Sequence, residues 1–168
     1  MMKLLKHYRQ FLFGVILGGL LGLLPGFGLG VYFLPILVEQ EGAQLETLMQ
    51  AQQFAEKSGT FSRDLRGSDR LHWGEGIITL SREAEGYYLT LDGKVAPGPD
   101  YRLYFTETLV EDEAAFLAVK EQAAYVGEVK AYTNFRLAVP PAIDVARYGA
   151  VIVWCERFGE FITAAELQ

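Results

Sequence analysis

The stretch "AVIVWCERFGEF", residues 150–161, contains Cys155, the only cysteine among 168 residues. A thiol can serve as nucleophile, redox group or metal ligand, and in the first and last of these roles it works as the thiolate. A lone cysteine forbids an internal disulfide, and with only His7 and His72 as histidines the chain offers no four-ligand zinc set. No metal site is expected. Arg157 would depress the thiol pKa if its side chain folded back towards the sulfur. His72 is the one histidine beyond the N-terminal segment, and it would activate the thiol if the fold brought the two together. Cysteine is also a small hydrophobe that often serves only to fill a core. Both readings, working thiol and structural filler, stand at this point.

The elements that must position the cysteine can be read outward from it. Side chains alternate along a strand, so Val151, Val153 and Cys155 share one face while Ala150, Ile152 and Trp154 share the other. Both faces are apolar, which predicts an interior strand covered on both sides, with Cys155 at its end just before Glu156 and Arg157. Further β-rich runs are "GIITL" at 76–80, "YYLTL" at 87–91, "YRLYF" at 101–105 and "FRLAV" at 135–139. Turn chemistry separates them: "EAEG", the Asp-Gly at 92–93, "PGPD" at 97–100 and the Pro-Pro at 140–141. "EDEAAFLAVKEQ" at 111–122 reads as one short helix with its acids at the positive end of the helix dipole. The expected fold class is mainly β: an antiparallel β-sandwich over 60–168.

Upstream the character changes. From Gln10 to Val38 no charged residue occurs, whereas about 20 apolar residues suffice for a helix to cross the hydrocarbon core. The segment 10–38 is therefore expected to be a single transmembrane anchor. Lys3, Lys6 and Arg9 precede it and Glu39, Glu41 and Glu46 follow it, which places a basic tail, 1–9, in the cytoplasm and the rest outside, in a periplasmic or extracellular location. The apolar run is too long for a cleaved signal peptide and lacks a small-residue cleavage site, so an uncleaved anchor is favoured. Gly14, Gly18, Gly22, Gly26 and Gly30 recur every fourth position and would let a second helix approach closely; a homo-oligomer through the anchor is one reading, and a row of the glycines common in membrane helices, interrupted by Pro25, is the other. Residues 39–59 read as a juxtamembrane helix and linker, with Leu45, Leu48, Met49, Gln52 and Ala55 at helical spacing and "SGT" ending it, so that the domain would start near Thr60. The net charge of -6 and the pI near 5.0 argue against nucleic acid as a partner.

The order of features from His72 to Leu167 resembles the DM-thirteen domain family, an electron-transfer domain. "LHWGEGIITL" is similar to its opening histidine, glycine and β-run, "APGPDYRLYF" to its glycine-proline-aspartate turn, and "YVGEVKAY" to its glycine followed by an aliphatic and a lysine. "DVARYGAVIVWCERFGEFITAAEL" resembles its closing tyrosine, strand, tryptophan, cysteine and phenylalanine. One departure stands out: where many members have a glycine pair, this chain has Ala131, Tyr132, Thr133 and Asn134. The resemblance implies a β-sandwich and a redox role for Cys155, as a bare thiol or as ligand to a prosthetic group such as haem. His72, Gly98, Pro99, Asp100 and Trp154 would be motif positions of unassigned role. Haem ligation would use Cys155 alone or with His72 or Met49 as second axial group, and the two-cysteine attachment motif of c-type haem is absent. Two functions follow as expectations. One is a membrane-anchored redox module of the cell envelope working through Cys155. The other is a non-catalytic envelope protein that binds an unidentified partner and keeps a structural cysteine.

Overall fold

The computed structural model describes Met2–Gln168, with side chains from His7 onward except those of Leu24 and Tyr32. Met1 and the side chains of Lys3 and Lys6, used above for orientation, lie outside the described residues. The chain divides into two compact units, Met1–Val38 and Glu39–Gln168.

The first unit is one helix, α1 (Met2–Leu37), with Pro25 and Pro35 inside it. Its stretch His7–Val31 is long and apolar enough to cross a membrane. The glycines at 14, 18, 22, 26 and 30 have open space where a Cβ would stand.

The second unit contains two antiparallel four-stranded sheets. One has the order β1-β2-β3-β6, formed by Ala55–Phe61, Gly74–Glu83, Gly86–Val95 and Arg136–Ala138; the other has the order β5-β4-β7-β8, formed by Ala124–Val129, Tyr101–Thr106, Ala150–Cys155 and Glu160–Glu166. Two helices accompany them, α2 (Leu45–Gln53) and α3 (Glu113–Val119). The mainly β sandwich expected from the sequence is present.

Apolar alternation explains the packing. Ile78, Leu80, Leu89 and Leu91 of the first sheet meet Leu103, Phe105, Val151 and Val153 of the second in a common core. Ile152, Trp154 and Phe161 face outward from the second sheet and are covered by Phe116 of α3. Strand β7 is therefore buried along its whole length, on both faces, as its two apolar faces require. The two sheets join at one side, where the Ser58 and Gln168 backbones exchange hydrogen bonds of 2.8 and 2.9 Å.

The start of the domain differs from expectation. The helix ends at Gln53, and "AEKSGTF" is strand β1, paired along β2, so the sheet begins ahead of Thr60 and "SGT" lies inside it. Only Phe61 of β1 is buried, so this edge strand lacks the alternation that marks a strand in sequence.

Candidate functional site

Antiparallel register brings several strand ends together around the cysteine. Tyr101, at the start of β4, stands opposite both Cys155 at the end of β7 and Val129 at the end of β5. In the other sheet Gly74 opens β2 opposite Val95, near the end of β3. The loop 96–100 crosses between the sheets at this end, and its residues are the expected motif positions.

Cys155 is buried, and its Sγ donates to the Pro99 carbonyl at 3.1 Å. Asp100 sits in the left-handed region (φ 54°), and its carbonyl accepts from Glu156 N at 3.0 Å. The turn is thus tied to the residue that follows the thiol. Gly98 is needed for space, since a Cβ there would lie 2.2 Å from Tyr101 Oη. Tyr132 Oη donates to the Gly98 carbonyl at 2.8 Å, and the Tyr101 and Tyr132 rings meet edge to face with centroids 5.9 Å apart. Gly98, Pro99, Asp100 and Cys155, far apart in sequence, form one site.

The thiol is neutral. Burial pushes its pKa up, against the backbone N–H groups of Phe158 and Arg157, which favour the thiolate, while Asp100 and Glu160 add to the rise. This corrects the expectation for Arg157: only its backbone acts on the sulfur, its side chain is exposed, and the thiol moves up and not down. Burial also raises the phenols of Tyr101, beside Cys155 and Tyr132, and of Tyr132, beside Glu39. The site therefore groups three weak acids, all protonated at neutral pH.

Two motif positions lie apart from the thiol. His72 Nδ1 is 3.0 Å from Asp69 Oδ2, and among the described residues no hydrogen bond or ion pair joins His72 to Cys155. Trp154, one residue from the cysteine, is on the opposite face, with its ring 4.9 Å from Phe116 and Lys120 Nζ 5.2 Å from its centroid. Beside it Glu156 accepts from Tyr104 Oη and from Lys120 Nζ (2.8 Å).

Tyr101 and Tyr132 were not singled out from the sequence. The signal for Tyr132 was the departure at 131–134. The turn without a glycine pair is made by Asn134 at φ 53°, a residue type that tolerates the left-handed region, and its Oδ1 accepts from Gly93 N at 3.0 Å.

The residues around the sulfur do not fit haem. An axial thiolate needs an open face for the porphyrin, but this sulfur is held by a carbonyl and buried in the core cluster that includes Tyr101 and Tyr132. Neither cavity described, one beside Thr106 and Ala123 and one between Ser58 and Ala165, is lined by Cys155. His72 is held by Asp69, and Met49 is exposed on α2, which packs on β2 and β3.

A two-sheet β domain with one buried thiol clasped by a Gly-Pro-Asp turn is the class that fold and site define. The family model described as Electron transfer DM13 matches residues 64–167, more than half of the chain, and the chain belongs to that family. No curated protein and no solved structure matches it.

Proposed function

We propose that this chain is a membrane-anchored redox module of the cell envelope in which the Cys155 thiol is the electron-carrying group. The observation that carries this reading is the bond from the single thiol of an electron-transfer family member to the Pro99 carbonyl, in a turn whose Gly98 and Asp100 are tied to Tyr132 and to Glu156. A buried, neutral thiol is poorly suited to nucleophilic or disulfide-exchange chemistry, which needs thiolate and access. It is suited to giving up an electron together with its proton. Oxidation removes one electron and the S–H proton, leaving a neutral sulfur radical; a one-electron acceptor outside the domain takes the electron and water takes the proton. The phenols of Tyr101 and Tyr132 keep their protons and line the sulfur with groups of the same redox type. The anchor, read from the apolar span of α1, would hold the domain at a bilayer, with the basic-before, acidic-after charge order favouring an external location. Its glycine row would pack against a second copy.

The test is a titration of the detergent-solubilised full chain with hexachloroiridate(IV), a one-electron acceptor strong enough to take an electron from a thiol. Wild-type protein should reduce one equivalent more than Cys155→Ser. Equal consumption by the two would remove Cys155 from the redox role and leave it as a packing residue.

A further inference from the structure

We infer that the end of the β-sandwich carrying Cys155 is a lipid-facing surface, which seats two exposed apolar loop tips in the bilayer interface and offers two arginines to lipid phosphates. This rests on the anchor reading of α1 and goes beyond it, because an anchor alone leaves open which end of the domain meets the membrane.

The path of the chain makes the first argument. The membrane-length stretch ends at Val31 and α1 continues to Leu37. Glu39, just beyond, is already bonded to the domain, its carboxylate accepting from Tyr132 N at 2.9 Å. The rest of the connection is bonded too: Gln40 N donates to Lys130 O at 3.0 Å and Ala43 N to Asn134 O at 2.5 Å. Gly42 packs so closely that a Cβ would stand 2.1 Å from Thr133 O. Loop 130–134 follows β5, whose end lies beside Tyr101 and hence beside Cys155. The chain therefore enters the domain at the cysteine end.

The surface of that end makes the second argument. Phe158, at the tip of the β7–β8 hairpin just past Cys155, is 57% exposed, and Leu71, on the loop leading into β2, is 61% exposed. The Leu71 loop is held at this end, since Trp73 O accepts from Ala96 N at 2.8 Å. Each tip follows an exposed arginine, Arg70 or Arg157, that makes no ion pair among the described residues. Several nearby carboxylates are already engaged, Asp69 by His72, Glu75 by Arg63, Asp100 by Arg102 and Glu128 by Lys130, while Glu160, opposite Cys155, makes no ion pair among the described residues. Apolar tips beside unpaired cations are the pattern of an interfacial membrane contact. The cysteine would then stand behind this surface, so that an electron acceptor carried in the membrane reaches it without crossing water.

The full chain is reconstituted into nanodiscs of phosphatidylcholine and phosphatidylglycerol. Single cysteines at Leu71→Cys, Phe158→Cys and, as a far-end control, Glu85→Cys carry an environment-sensitive dye in a Cys155→Ser background. Lipid spin-labelled near the headgroup should quench the dyes at 71 and 158 several-fold more than the dye at 85. Replacing phosphatidylglycerol by phosphatidylcholine should lower that quenching, and Arg70→Glu with Arg157→Glu should remove the difference between the two lipids. If Cys155→Ser does not fold, the same cysteines are labelled in the native background, where buried Cys155 is passed over. Retention in the disc with all three dyes quenched only by aqueous iodide overturns the lipid-facing surface and leaves the anchor standing. Failure to enter the disc overturns the anchor reading and this one with it.

Discussion

At Cys155 the environment decides the chemistry. A thiol whose ordinary pKa is 9.0 is pushed up by burial, and its proton is held by the Pro99 carbonyl. The unfolded chain releases that proton near its ordinary value while the folded chain keeps it. Above pH 9 the folded state therefore binds more protons than the unfolded one, and stability falls as pH rises; below that pH the contribution is fully present. Tyr101 and Tyr132 act in the same direction from about pH 10 upward, because both phenols are raised from 10.0. The urea midpoint of the full chain should decline between about pH 8 and about pH 10.5. Cys155→Ser should lose the early part of that decline and keep the later, tyrosine part. Identical curves for the two chains would show that the sulfur is not the titrating group. The burial of Cys155 and its place at a strand end were legible in the alternation of 150–155. Its partner was not, because Pro99 lies 56 residues away and only the pairing of β4 with β7 brings them together.

Among elements, the least self-sufficient is β6, a three-residue edge strand. It is pinned by Arg136, which lies 3.8 Å over the Tyr88 ring and donates to Glu83 at 2.9 Å. The Glu83 side chain, at the end of β2, is 3% exposed and also accepts from Gln50 of α2 (2.8 Å) and Ser81 (3.1 Å). One carboxylate thus fastens α2, β2 and β6. Arg136→Ala strands that charge in a poorly solvated place and should cost about 3–5 kcal/mol in urea unfolding. Adding Glu83→Gln to Arg136→Ala should restore a large part of the loss, and a double variant as unstable as the single one would show that stacking on Tyr88, not charge, is what matters. Five strands could be read from sequence because their β-branched and aromatic runs stand between turn signals. Strand β1 could not, since six of its seven residues escape full burial and its Glu, Lys and Gly do not alternate. Strands β5 and β8 went unread for different reasons: β5 carries Gly127 and Glu128 in its span, and the small residues of β8, such as Ala164 and Ala165, are buried on both faces. Which strands share a sheet depends on pairings such as β3 with β6, and no local pattern encodes those.

For the molecule as a whole, the connection 39–43 governs how firmly the β unit is held at its point of entry. Its hydrogen bonds contribute about 0.5–1.5 kcal/mol each, while ordering each residue of the connection costs about 1–2 kcal/mol. Three bonds do not offset the ordering of five residues, so the connection also depends on its packing, such as that of Gly42 on Thr133. Gly42 is the position at which the balance can be tipped without touching the core. Gly42→Val in the full chain puts a side chain where Thr133 O already stands, and it should release the connection from loop 130–134. Amide exchange at Gln40, Ala43 and Tyr132 should accelerate, while the amides of β7 keep their protection and the global unfolding free energy changes by less than about 2 kcal/mol. Because Tyr132 also holds Gly98, and Gly98 leads into the turn that clasps the sulfur, loosening should reach the site: Cys155 should alkylate faster in Gly42→Val than in wild type under native conditions. Faster exchange at Tyr132 with unchanged alkylation would mean that the connection and the thiol are mechanically independent. Unchanged exchange would mean that Thr133 yields and the connection stays bound.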